Sequence, residues 1–411
     1  MDQNLLHPKD LAIRDFTYEL PPGSIAFRPL PERSKSKLLV WKQGQIIQDN
    51  YINISDHLPE GALMILNDTR VIPARILFEK ATGGLVEIFC LETYNDHYSY
   101  GLQRTGSTTW KCMIGGAGKW KSGPLLKELK LHGTPILLSV QLVEKLQDVY
   151  IVHFSWMPSE NTFSEILNVA GEIPLPPYIK RNVEQQDAER YQTVYANSEG
   201  SVAAPTAGLH FTNEIFDSLN RKQINILPLT LHVSAGTFKP VKVASMKDHT
   251  MHSEWIEVSS KAIHKILIHR KNIIAVGTTS LRIIESLYWM GVKCLMNQDI
   301  EIEALAINQF EVYDHPLVAL TETIERALIS LLKWMKQHLM DRLRIPTQIM
   351  IAPGYKFRIV NALVTNFHQP ESTLLLLVAA IAGDQWKTIY QYALKNDFRF
   401  LSYGDGSLLY I

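Results

Sequence analysis

Short apolar runs separated by Gly- and Pro-bearing polar turns fill most of the chain, and their period changes along it. Pro21, Pro22, Pro29 and Pro31 exclude a long helix near the start. SKLLVW and GQIIQDNYINI predict two strands around a turn at Gly44. GALMILNDTRVIPARILF predicts a buried strand, a polar turn at Asn67-Asp68-Thr69, and a second strand after Pro73. From residue 76 to 155 the runs GLVEIFCLE, HYSYGLQ, TTWKCMI, PILLSVQLV and VYIVHFSW are β-type and evenly spaced. That spacing predicts a small antiparallel β-barrel-like domain inserted into the chain.

After 156 the period becomes mixed. TFSEILNVAG predicts a short helix ending at Gly171, and helices are expected around Ile215–Asn220 and Ser260–His269. IIAVGTT and IEALAI read as strands. ETIERALISLLKWMKQHLM reads as a helix, and TLLLLVAAIAG with DQWKTIYQYALKN as a helical pair. Strands alternating with helices predict an α/β main domain with a mixed sheet, formed by residues 1–75 and 156–411.

A length of 411 residues fits two or three such units, and 46% hydrophobic residues exclude a disordered chain. Lys+Arg and Asp+Glu are 41 each, so net charge alone gives no argument for a polyanionic partner. The charge is unevenly distributed. Lys111, Lys119, Lys121, Lys127 and Lys130 face only Glu128 in their stretch, and Lys333, Lys336, Arg342 and Arg344 face only Asp341. Cys90, Cys112 and Cys294 are too few and scattered for a disulfide framework. The mixed polar start does not resemble a signal peptide, and the longest apolar run, Leu374–Ala382, is too short to span a bilayer. A soluble, cytoplasmic protein without membrane contact is expected.

Two tempting signals carry little. IGGAGKW lacks the first Gly and the final Ser or Thr of a phosphate loop and reads as a Gly-rich hairpin. His249, His252 and Glu254 lack an evident further ligand for a metal. Four other turns carry more. SVAAPTAGLHFT (201–212) surrounds Pro205 and Gly208 with small residues and presents His210 before Thr212, a residue suited to cap a helix. TLHVSAGTFKPV (230–241) repeats the theme with His232, Gly236 and Thr237. VGTTSLR (276–282) is a strand end, a Thr278-Thr279 turn and a helix start carrying Arg282. VTNFHQPEST (364–373) holds Asn366, Phe367 and His368. Such turns, at strand ends and helix starts, imply one composite cleft.

Taken together, PPYIKR, YQTVYA, GSVAAPTAGLHFT, TLHVSAGTF, MHSE, VGTTSLR, PGYKF, TNFHQPESTLLLLVAAIAG and RFLSYGDG resemble the S-adenosylmethionine:tRNA ribosyltransferase-isomerase family of queuosine biosynthesis. DFTYELPPGSIAFRPLPERSKSKLLV and LNDTRVIPARI fit the same pattern, so the resemblance runs from about residue 15 to 408. It implies an α/β domain with an inserted β-barrel-like domain. It implies transfer of the ribosyl part of S-adenosylmethionine to 7-aminomethyl-7-deazaguanine at the tRNA wobble position, with loss of adenine and methionine. S-adenosylmethionine is then a co-substrate and no cofactor or metal is needed; a monomer is expected.

That chemistry requires a base beside the sulfonium, an acid for the departing adenine, and polar groups to hold methionine. His210, His252, His368 and Asp405 form the acid/base pool, with His232 and Glu254 as further members. Pro205, Thr206, Gly208, Thr212, His232, Gly236, Thr237, Thr278, Thr279, Arg282, Asn366 and Phe367 are expected to bind the small substrate, and Lys119, Lys121 and Lys127 the tRNA. The chain departs from the family pattern at Lys37, Ser234, Asn361, Gln369 and Glu371. A second reading is a catalytically silent or re-purposed RNA-binding relative that keeps the fold. The two differ in whether precursor tRNA is chemically changed.

Overall fold

The computed structural model describes residues 7–80, 83–95, 98–120, 123–146, 149–232, 243–251 and 253–411. It is a mixed α/β structure with a large mixed sheet and a second, antiparallel sheet. Across the nine-stranded sheet the order is Arg342–Thr347, Glu254–Ser259, Asn225–His232, Leu63–Asn67, Ile273–Val276, Ala362–Asn366, Gly406–Tyr410, Lys37–Lys42 and Gln45–Asn50. The four strands from Asn225–His232 to Ala362–Asn366 are parallel to one another. Their carboxyl ends therefore share one edge.

The central strands are fully buried, as their unbroken apolar runs demand. Leu63 and Ile65 face a layer built by the Thr278–Met296 and Ile324–Gln337 helices; Met64 and Leu66 face the Asn213–Arg221 helix. Asn67 ends its strand by locking the neighbouring one. Its Oδ1 accepts from the backbone N–H groups of Thr69 and Leu231, and its Nδ2 donates to the Leu231 carbonyl.

The seven-stranded sheet takes its strands from Arg75–Glu79, Leu85–Thr93, Ser107–Gly115, Leu125–Leu131, Thr134–Lys145 and Tyr150–Met157, with Gly171–Glu172 at one edge. Its core extends past residue 155, because Phe163, Ile166, Leu167 and Ala170 of the Phe163–Ala170 helix pack into it. That helix begins with a reciprocal Thr162–Glu165 capping box.

Several local expectations change. HYSYGLQ contains the Tyr98–Gln103 helix rather than a strand, and IEALAI contains the short Ile302–Leu305 helix. In both, the run is too short for its hydrophobic period to separate helix from strand. GQIIQDNYINI is a strand only to Asn50, after which Tyr51–His57 coils as a 3-10 turn. IGGAGKW is a strand end and a short turn, with Gly116 at φ 71°.

Candidate functional site

Where the parallel strands end, three segments converge on a cleft of about 860 Å³, part of it open to solvent. Ala203–Ala207 supplies one wall, Gly277-Thr278-Thr279 a second, and Thr365–Gln369 a third. Each follows from local chain geometry. Val276 ends a central strand; Gly277, at φ 88°, turns the chain directly into the Thr278–Met296 helix. Asn366 ends the next strand, and Ser372 caps the Thr373–Ala382 helix by accepting the Leu375 N–H at 3.2 Å. Two helix N-termini therefore border one cleft, offering oriented N–H donors and a field that favours an anion.

Among the residues expected from sequence, Pro205, Thr206, Thr278, Thr279, Asn366, Phe367 and His368 line this cleft together. The Thr206 hydroxyl donates to Asn366 Oδ1 at 2.7 Å, tying two walls. The Thr365 hydroxyl and His368 Nε2 are 2.8 Å apart, which fixes the imidazole plane. The His368 backbone is held as well: its N–H donates to the Tyr390 hydroxyl at 3.0 Å, and its carbonyl accepts from Tyr18. Among the described residues the side chains of Thr278 and Thr279 form no hydrogen bond, leaving both hydroxyls available to a ligand.

Other expected residues stand elsewhere. His210 lines a smaller cavity behind the cleft with Arg33 and Arg190; only Ser402 borders both spaces. Its ring stacks on Tyr51, with centroids 4.1 Å apart, and its Nε2 lies 3.4 Å from Asn366 Nδ2. It therefore reaches the cleft through Asn366. Gly208 is shaped by packing: a Cβ there would stand 1.9 Å from the Tyr195 hydroxyl. Thr212 occupies the N-cap of the Asn213–Arg221 helix, but its side chain makes no capping hydrogen bond.

Asp405 is buried and organises the loop before the last strand. Its carboxylate accepts the backbone N–H groups of Lys37 (2.9 Å) and Arg399 (2.7 Å). Burial raises its pKa, against the opposing pull of those N–H groups and of the Arg399 charge. Arg282 does not line the cleft and forms a buried ion pair with Glu254, while its Nε donates to the Ile349 carbonyl at 3.2 Å. Lys127 donates to the Leu77 carbonyl at 2.8 Å, joining the strand at one edge of the second sheet's order to the strand next to its other edge. Lys119 is exposed. His252, Gly236, Thr237 and Lys121 lie outside the described residues, as does the side chain of His232. Among the described residues no cluster of three His, Cys, Asp or Glu could hold a metal ion.

Sequence reasoning passed over Tyr178, Thr365, Gln369, Ser372 and Ser402, all of which line the cleft. Each lies inside a quoted motif, so position within the motif was the signal that could have found them. Tyr178 and Ser402 are joined by a hydroxyl–hydroxyl hydrogen bond, and burial pushes the Tyr178 phenol up to about 12. The departures from the family pattern separate by place. Gln369 lines the cleft, whereas Asn361 accepts the Ile273 N–H at 2.8 Å through an oxygen that an Asp would also supply. Glu371 is exposed at φ 55°, Lys37 donates to the carbonyls of Asn396 and Asp397, and Ser234 is outside the described residues.

Both described histidines of the acid/base pool are neutral at pH 7. Burial pushes His210 down to about 3, assisted by the charges of Arg399 and Arg33; burial likewise pushes His368 to about 3. An unfolded His titrates near 6.5, so below that pH the unfolded chain binds protons that the folded chain refuses. Stability must then fall as pH drops from about 6.5 towards 3, by about 1.4 kcal/mol per pH unit for a fully contributing ring. Denaturation midpoints measured between pH 7 and 4.5 will fall steadily, and His210→Gln will flatten the dependence by one proton. An unaltered slope in that variant would show that His210 takes up its proton in the folded chain as well.

The family model described as queuosine biosynthesis protein matches residues 13–304 and 296–409. An S-adenosylmethionine:tRNA ribosyltransferase-isomerase of Halothermothrix orenii is 37% identical over 406 residues, covering 97% of this chain and 100% of the relative. The corresponding protein of Legionella pneumophila strain Paris is 37% identical over 403 residues, covering 96% and 99%. The crystal structure of S-adenosylmethionine tRNA ribosyltransferase from Thermotoga maritima is 25% identical, covers 96% of this chain and 99% of its own, and aligns with a TM-score of 0.44. With a family match over almost the whole chain and relatives this similar from end to end, the chain belongs to the queuosine biosynthesis protein family.

Proposed function

We propose that the protein transfers and isomerises the ribosyl part of S-adenosylmethionine onto 7-aminomethyl-7-deazaguanine at the tRNA wobble position, giving epoxyqueuosine-tRNA with release of adenine and methionine. The observation that carries the reading is 37% identity, over their full length, to proteins bearing that enzyme name. The cleft supports it chemically. Two helix N-termini suit the methionine carboxylate, and the unengaged Thr278 and Thr279 hydroxyls suit ribose. Tyr178 contributes aromatic wall for adenine, and Phe367 backs the wall from the core. His368 is the proton acceptor in this reading: a neutral ring whose plane is set by Thr365. His210 and Asp405 hold positions behind it, and His252 remains in the pool.

The proposal extends to a cytoplasmic monomer that uses no metal and no cofactor beyond its co-substrate. No described helix is long and apolar enough to cross a membrane. The tRNA is gripped mainly through phosphates, so its affinity will fall steeply between 50 and 200 mM salt, as release of condensed counterions requires. An affinity unchanged over that range would remove phosphate-led docking. The function is tested by mass analysis of digested precursor tRNA after incubation with the protein and S-adenosylmethionine. Conversion of the precursor nucleoside supports the reading; unchanged nucleoside from a proven precursor refutes it.

A further inference from the structure

A second cavity lies further along the Thr278–Met296 helix and takes no part in the site described above. Its lining includes His7, Trp289, Tyr313, Tyr355, Lys356 and Arg358, and it holds about 670 Å³, including its mouth. Trp289 stands eleven residues after Thr278, close to three whole turns, so both project from nearly the same helix face about 16 Å apart. The reaction cleft and this cavity are therefore both bordered by one helix, about three turns apart.

The cavity is firmly built. The Glu285 carboxylate, on that same helix face, accepts the backbone N–H groups of Arg358, Ile359 and Val360 and the Tyr355 hydroxyl, at 2.8–3.0 Å. Trp289 Nε1 donates to the Tyr355 hydroxyl at 2.9 Å. Gly354, at φ 98°, makes the turn that brings this segment over the helix. Two cations border the cavity. Arg358 lies over the Trp289 ring, 5.0 Å from its centroid, with its Nε buried and without a hydrogen-bond partner. Lys356 is exposed at the rim, and neither forms an ion pair among the described residues. On the His7 side, Asp314 is occupied by His7 and Lys9.

Trp289 and Tyr355 form the buried floor, whereas the half-buried rings of His7 and Tyr313 and the Lys356 and Arg358 cations border the mouth. Aromatic rings beside cations without a carboxylate partner match a nucleotide, with a base to stack and a phosphate to neutralise. Resting on the proposed function, we infer that this cavity receives an unstacked nucleotide of the RNA substrate that flanks the modified base. Held there, the strand is fixed at two points on one helix, and the wobble base is presented to the cleft. RNA recognition of this kind works by splaying single-stranded loop bases onto aromatic and guanidinium planes.

Two variants test it without touching the cleft. Val318→Trp fills the cavity from a wall position that is 46% exposed, and Lys356→Glu reverses the rim charge. The readout is binding of an anticodon stem-loop RNA by fluorescence anisotropy, with AMP as a free-nucleotide probe and turnover measured in parallel. Each variant is expected to weaken RNA binding about tenfold and raise the KM for tRNA, leaving the KM for S-adenosylmethionine and kcat unchanged. Wild-type RNA affinity in both folded variants would overturn the inference. So would AMP binding lost in the variants without any change in RNA affinity. A wild-type protein that binds RNA through this cavity but converts no tRNA would leave the inference standing and remove the proposed function.

Discussion

His368→Ala will fold, bind tRNA and S-adenosylmethionine, and turn over about 10²–10⁴-fold more slowly, the range expected for a missing acid–base group. The expectation rests on three observations. His368 lines the cleft. Burial keeps its ring neutral at pH 7. Thr365 holds its Nε2, while Tyr390 and Tyr18 fix its backbone. Single-turnover kinetics with saturating tRNA separate chemistry from binding. Thr365→Val will share part of the loss, because it frees the ring to rotate, and the KM for S-adenosylmethionine will change little in either variant. A folded His368→Ala protein with near-wild-type kcat would return attention to His210 and His252. His210→Ala offers the contrast: it opens a hole beside Tyr51 and loosens Asn366, so stability falls together with rate.

Arg282→Met will lower stability by about 3–5 kcal/mol, the cost of removing one partner from a buried ion pair. The guanidinium and the Glu254 carboxylate form a buried pair, with both residues under 9% exposed. A substrate-binding Arg would behave differently, raising KM while leaving the melting temperature in place. The double variant Arg282→Met with Glu254→Gln will recover part of the loss, since it no longer strands a carboxylate. Denaturant unfolding of both variants, beside the KM for S-adenosylmethionine of the folded fraction, decides between a structural and a binding role.

Arg282 also illustrates what the sequence could and could not convey. The motif VGTTSLR marked a strand end feeding a helix, and that is where Gly277, Thr278 and Thr279 stand. Which face of the helix Arg282 occupies depends on the three-dimensional neighbours, and the buried Glu254 comes from a strand that the hydrophobic pattern did not announce. His210 shows the same limit. Its turn was legible, but the stacking of Tyr51 from a distant 3-10 turn, which draws the ring behind the cleft wall, has no local signal. Lys127 was legible as a charge and not as a donor to Leu77 in another strand. Conversely, the helix starts at Thr162, Ser259, Thr323 and Ser372 carry side-chain caps that the sequence writes directly. The strands Asn225–His232 and Arg342–Thr347 were missed because Pro228 and Pro346 interrupt their runs.

The most direct test of the account follows the carbon atoms of S-adenosylmethionine. Precursor tRNA is incubated with the protein and co-substrate labelled either in the ribose or in the methyl group, and label is counted in tRNA, methionine and free adenine. The account predicts ribose label in the tRNA, methyl label only in released methionine, and one adenine and one methionine freed for each nucleoside converted. Methyl label in the tRNA, or ribose label that never leaves the co-substrate while precursor tRNA is bound, would contradict it.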